Sequence, residues 1–124
     1  ICEGKPQKDS GLITSWMIDG QVYYAHSSMS SQQINKAETK YRVIKELPQH
    51  RFLIEFSPAS PKANQIRLHA KELGCPIIGD KKFHPDSKSE NLLAHAFKFD
   101  FIHPVTKEFI QIEKPLPNYM QALL

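Results

Sequence analysis

The sequence predicts an α+β fold, mostly antiparallel sheet with one central helix, carried by a single domain over residues 1–124. Three observations carry this expectation. Residues 52–57 alternate, with Phe52, Ile54 and Phe56 set against Leu53, Glu55 and Ser57, the period of a strand with one packed face. Residues 97–101 repeat that pattern with Phe97, Phe99 and Phe101. Between them, Ile66, Ala70 and Leu73 recur at helical spacing and Gly74 follows, the signature of a short helix with a glycine stop.

The remaining elements follow in order. Residues 11–18 and 21–25 read as two strands, and Asp19-Gly20 between them is a two-residue hairpin signal, since both positions tolerate positive φ. Residues 27–36 are rich in Ser and Gln and read as a surface loop. Residues 39–47 form the next strand, and residues 48–51 reverse the chain into the strand from Phe52. Ser60-Pro61 reads as an N-cap with proline at the first helical position. Leu68 interrupts a one-sided apolar stripe, which predicts packing on more than one face. Residues 85–90 are polar and read as a mobile loop. Residues 103–107 turn the chain into a strand over 108–113 with Ile110 and Ile112 on one face. Residues 118–124 read as a short terminal helix closing the core.

Composition bounds the partners. A chain of 124 residues that is 40% hydrophobic and 23% charged supports a core without disulfides or metals. A formal charge of +3 is compatible with a nucleic-acid partner without demanding one. Cys2 and Cys75 lie in no Cys-x-x-Cys spacing and read as two reduced thiols of a cytoplasmic protein. No apolar run reaches the length of a membrane span. The first residue is Ile1 rather than Met, within a segment that reads as folded. The expectation is a processed product or a truncated piece of a longer protein.

Chemistry-bearing motifs are few. No phosphate loop and no Gly-x-Ser-x-Gly elbow is present, and His26, His50, His69, His84, His95 and His103 lack metal-ligand spacing. The group Lys62, Asn64, Gln65, Arg67 and Lys71 reads either as a solvated helix face or as an anion-recognition face built on helix amides and a guanidinium. Lys81 and Lys82 would extend that basic surface. Lys36, Lys40, Arg42 and Lys45 would form another, or serve only as a charged strand edge.

These residues resemble the RluA-type pseudouridine synthases, specifically the later half of their catalytic domain. The family pattern Thr-Gly-Arg-Thr/Ser-His-Gln-Ile/Leu-Arg-Val-His is similar to residues 60–69, and Gly-x-Pro-Ile-x-Gly-Asp to residues 74–80. Leu92-Leu93-Ala94-His95-Ala96 resembles the Leu-x-Leu-His-Ala signature. His103-Pro104-Val105-Thr106, Pro115-Leu116-Pro117 and Ala37-Glu38-Thr39-Lys40-Tyr41-Arg42-Val43 resemble further family segments, and so does the start of the chain. Within the opening motif the chain departs at Ser60, Pro61, Lys62, Ala63 and Asn64.

The resemblance implies isomerisation of uridine to pseudouridine in structured RNA, ribosomal or transfer, with no cofactor, no metal and no membrane. It implies that Arg67 supports catalysis by pairing with the family's aspartate, which lies with its catalytic tyrosine in a first half absent from this chain. It implies RNA contacts from Lys62, Asn64, Gln65, Lys71, Lys81 and Lys82, and a structural role for Asp80. The missing N-terminal half becomes an expected partner, and this chain alone is expected to be inactive. Two further readings stand beside this one. The first is a non-catalytic RNA-binding or ribosome-associated module. The second is a functionless truncated product with an exposed apolar sheet surface.

Overall fold

The computed structural model describes residues 1–18, 21–23 and 36–124. Two compact units divide the chain, residues 1–93 and residues 94–124. Antiparallel sheet dominates and helices are few, an architecture compatible with the α+β expectation.

The first unit is built on a five-stranded sheet ordered β1-β5-β4-β2-β3. Its strands are β1 (Cys2–Glu3), β2 (Ser10–Ile18), β3 (Gln21–Tyr23), β4 (Lys36–Leu47) and β5 (Arg51–Ala59). The β4–β5 hairpin matches the alternation in the sequence: Phe52 and Ile54 of β5 are buried, and Tyr41 of β4 lies opposite Phe56. Gln49 and His50 adopt positive φ to make the reversal. A register shift between Val43 and Lys45 marks a bulge in β4. Such an extra residue bends a strand and increases its twist.

β2 and β3 pair in the register expected of a hairpin, with Ile18 opposite Gln21. The expected Asp19-Gly20 turn lies outside the described residues, as does most of the expected 27–36 loop. Lys36, at that loop's predicted end, instead begins β4.

One helix, α1 (Gln65–Glu72), packs on the sheet. Its start differs from the sequence expectation. β5 continues to Ala59, and residues 60–64 form a separate turn before the helix. Ser60 and Asn64 both take left-handed φ, 48° and 60°, so neither Ser60 nor Pro61 caps the helix. The physical reason is nonlocal: pairing of Ala59 with Glu38 extends the strand past the point where local capping chemistry would end it. Asparagine at the left-handed N-cap is a residue type that tolerates this backbone. Leu68 is half-buried, and Gly74 follows the helix with φ 80°.

The core gathers Cys2, Tyr41, Phe52, Ile54, Ala70, Cys75 and Ile77. Each large apolar side chain removed from water contributes about 1.5–3 kcal/mol. Residues 1–3 tie β5 to the segment after α1: Cys2 pairs with Phe52 on one side and with Ile77 on the other. Cys2 and Cys75 are free and buried. Burial pushes the Cys2 thiol up to about 12, so it is a protonated core residue at neutral pH.

The 85–90 segment, expected to be mobile, is tied down. Ser87 is 9% exposed, and its hydroxyl accepts the Gly79 amide at 2.8 Å. Lys81 Nζ donates to the Ser87 carbonyl at 2.8 Å.

The second unit holds a two-stranded sheet, β6 (Lys98–Ile102) with β7 (Phe109–Glu113), and a short helix α2 (Asn118–Gln121). The turn between the strands is organised by His103, whose Nδ1 accepts the amides of Val105 and Thr106 at 3.1 Å each. Register places Phe99 opposite Ile112 and Phe101 opposite Ile110, a shared apolar face as the alternation requires. That face is not buried: Phe99 is 62% and Ile112 52% exposed. A two-stranded ribbon has too little structure of its own to cover an apolar face. α2 ends at Gln121, short of the predicted 124.

Candidate functional site

The motif residues converge at the start of α1 and in the turn after the core segment 75–78. Arg67 leaves the first turn of α1 and meets Asp80 in a side-on fork: Nε donates to Oδ2 at 2.9 Å and Nη2 to Oδ1 at 2.6 Å. The Asp80 side chain is 1% exposed and that of Arg67 31%. Asp80 Oδ1 also accepts the amides of Lys82 at 3.2 Å and Phe83 at 3.1 Å. These contacts, with Arg67 first, hold the Asp80 carboxyl below the usual carboxylate range and raise Arg67 further. Two matched planar groups in bidentate contact make the strongest class of ion pair.

Two more contacts fix the guanidinium. Its carbon lies 4.9 Å from the centroid of the Phe83 ring, cation–π distance. Nη1 donates to Asn64 Oδ1 at 3.3 Å. Among the described residues, Asp80 is the carboxylate that Arg67 meets. Asp80 Oδ1 thus accepts three hydrogen bonds and Oδ2 one.

Gln65 revises an expectation. It is 2% exposed, and its Nε2 donates to the Glu38 carbonyl and to Thr39 Oγ1, each at 3.0 Å. Its Oε1 accepts the Lys62 amide at 2.9 Å. An amide so enclosed has no donor to present to RNA; it fastens the 60–64 turn to β4.

His69 extends the same network, unforeseen in the sequence because its partners are 30 and 54 residues away. It is fully buried, with Nδ1 2.7 Å from Thr39 Oγ1 and Nε2 2.6 Å from Ser15 Oγ. Burial lowers its pKa, so the neutral ring bridges two hydroxyls, one accepting from it and one donating to it.

The expected RNA-contact residues divide by place. Lys62 is half-buried in the turn and Asn64 half-buried beside Arg67, while Lys71, Lys81 and Lys82 are exposed. Lys82 Nζ lies 5.3 Å from the Phe83 centroid, so Lys82 and Arg67 share one ring. On β4 the other basic candidates are partly neutralised: Lys36 meets Glu38 at 3.0 Å and Arg42 meets Glu55 at 3.5 Å. A hollow of about 390 Å³ beside Tyr41, Glu72 and Leu73 takes in none of the predicted site residues. Among the described residues, no three metal-ligating side chains gather, and no helix is long and apolar enough to cross a membrane.

No family model matches the chain. Individual proteins do. The chain is 33% identical over 127 residues to ribosomal large subunit pseudouridine synthase C of Rickettsia bellii, covering 99% of this chain and 42% of that protein. It is 34% identical over 115 residues to dual-specificity RNA pseudouridine synthase RluA of Pasteurella multocida, covering 90% of this chain and 52% of that protein. A Synechocystis relative described as an uncharacterized RNA pseudouridine synthase is 34% identical over 93 residues. The chain belongs to the RluA-type pseudouridine synthases. It spans about 42% of the length of the Rickettsia relatives it matches.

Proposed function

We propose that this chain is the later half of a pseudouridine synthase catalytic domain and contributes RNA contacts and a supporting arginine to uridine isomerisation in structured RNA. The observation that supports this best is the Arg67 guanidinium, held by Asp80 and Phe83 at the end of a side chain that is 31% exposed. A cation held in this way is what a site needs to orient a carboxylate supplied from elsewhere. In the complete enzyme that carboxylate is the catalytic aspartate of the first half. Lys62, Asn64, Lys71, Lys81 and Lys82 then follow the RNA backbone around a flipped uridine, since chemistry on a paired base requires taking it out of the stack. The chain is inactive alone on this reading, because Asp80 is engaged and no other carboxylate meets Arg67 among the described residues.

The test is to join an upstream half, such as that of the Rickettsia bellii relative, to this chain and measure pseudouridine formation in ribosomal and transfer RNA. Activity that falls at least a hundredfold in Arg67→Ala supports the assignment; full activity in that variant sinks it.

A second reading, an RNA-binding module without catalysis, is favoured by the altered 60–64 turn. It predicts salt-dependent binding of structured RNA by this chain, with no isomerisation after the upstream half is restored.

A further inference from the structure

We propose that Asp80 is the positioning residue of Arg67: it takes the Nε–Nη2 side of the guanidinium and leaves the Nη1–Nη2 end as the edge offered to an incoming carboxylate. This rests on the proposed role of Arg67, and goes beyond it by stating which donors perform that role. A guanidinium has five N–H donors in a fixed plane. Asp80 takes one on Nε and one on Nη2, at 2.9 and 2.6 Å. Asn64 Oδ1 takes one on Nη1 at 3.3 Å. One hydrogen on Nη1 and one on Nη2 remain. The guanidinium carbon lies over the Phe83 ring, 4.9 Å from the ring centroid.

Asp80 is suited to this work because its own carboxylate is buried and held by its turn. It is 1% exposed and two backbone amides of its own turn, those of Lys82 and Phe83, grip Oδ1. The turn is in turn held by the Ser87 hydroxyl on the Gly79 amide. A carboxylate fixed in this way transmits its orientation to the guanidinium through two parallel bonds, which a single hydrogen bond could not do. The pair also lowers the net charge at the site, so the free edge selects by geometry more than by long-range attraction.

The proposal is read directly on this chain by nitrogen NMR of the Arg67 side chain, without RNA or turnover. In the wild type the two Nη groups should be distinct, with slow rotation and a protected Nε hydrogen. In Asp80→Asn the Nη signals should average and Nε exchange should quicken about tenfold, the scale of one lost hydrogen bond to a charged group. Asp80→Glu, which keeps the charge, should restore part of the restriction. Acetate, as a carboxylate probe, should shift the Nη signals and leave Nε unmoved in the wild type, and shift both in Asp80→Asn. Free rotation in the wild type, unchanged Arg67 signals in Asp80→Asn, or acetate acting on Nε in the wild type would each overturn it. If Asp80→Asn fails to fold, the wild-type rotation and acetate arms still decide. Because no arm depends on isomerisation, a failed positioning role is separable from a failed assignment of the chain as part of a synthase.

Discussion

Replacing Gln65 by leucine separates a structural side chain from an RNA-contacting one. The substitution keeps approximate size and removes three internal hydrogen bonds, those to the Lys62 amide at 2.9 Å and to the Glu38 carbonyl and Thr39 hydroxyl at 3.0 Å each. At about 1 kcal/mol net per bond, the loss is about 3 kcal/mol. Leaving the part-buried Glu38 carbonyl without its side-chain donor adds to this, and apolar burial of leucine offsets part of it. A net destabilisation of about 2–4 kcal/mol is a large share of the total stability of a small domain. Urea unfolding should show a lower midpoint at unchanged slope, since the area exposed on unfolding barely changes. The second readout is binding of a structured RNA at a temperature where the variant is fully folded. It should match the wild type, because a 2% exposed amide touches no ligand. A shift below about 1 kcal/mol, or a folded variant that loses RNA binding as the surface lysine variants do, would refute the reasoning.

Three further outcomes follow from the same structure. His69 is buried with a lowered pKa, so below the unfolded value of about 6.5 the unfolded chain takes up a proton that the folded chain refuses. Stability should then fall with decreasing pH from about 6.5 toward the folded pKa, at up to about 1.4 kcal/mol per pH unit, and His69→Asn should flatten that slope in urea titrations. Gly79→Ala should cost at least about 2 kcal/mol more than Gly74→Ala: both glycines have φ near 80°, but a Cβ at Gly79 would overlap the Asn91 carbonyl while one at Gly74 meets nothing. Thermal melts of the pair isolate the clash from the backbone strain they share. For RNA binding, Lys71→Gln and Lys82→Gln should each reduce the slope of log affinity against log salt by about 1, and an unchanged slope would remove that lysine from the RNA surface.

Much of the sheet was legible because its signals are local. Phe52, Ile54 and Phe56 alternate, residues 48–50 reverse the chain, and β4 and β5 pair as that pattern demands. The start of α1 was not, because Ser60-Pro61 carries good capping chemistry and only the cross-strand partner Glu38 reveals that the strand is still running at Ala59. The site was legible as a set of residue types and illegible as a set of contacts. Arg67 and Asp80 stand 13 residues apart, and His69 meets Ser15 across 54. No spacing rule reaches that far. The opposite error occurred at residues 97–101, where a true alternation predicted burial that Phe99 at 62% exposure does not have. Period two reports a shared face; what covers the face is a tertiary fact.

Burial also explains how the opening motif divides into matches and departures. Gln65 and His69, which match the family pattern, are buried at 2% and 0% exposure and hold β4 to α1. The departures at 60–64 occupy a turn whose residues are exposed or half-buried. Keeping Gln65 and His69 therefore preserves the fold whether or not any RNA is modified, so those two matches carry ancestry and say little about turnover. Arg67 differs from both because it is anchored and still 31% exposed. Its fold requirement is met at the Asp80 edge, by Nε and Nη2. The donors left over on Nη1 and Nη2 are the part of this motif whose presence the fold does not require. Arg67→Lys keeps a charge opposite Asp80 but loses the fork as well as those donors, and should cost about 1–3 kcal/mol of stability. In the joined two-half protein it should lose activity nearly as Arg67→Ala does. Equal activity in Arg67→Lys and wild type would show that the charge suffices and the edge geometry carries no function.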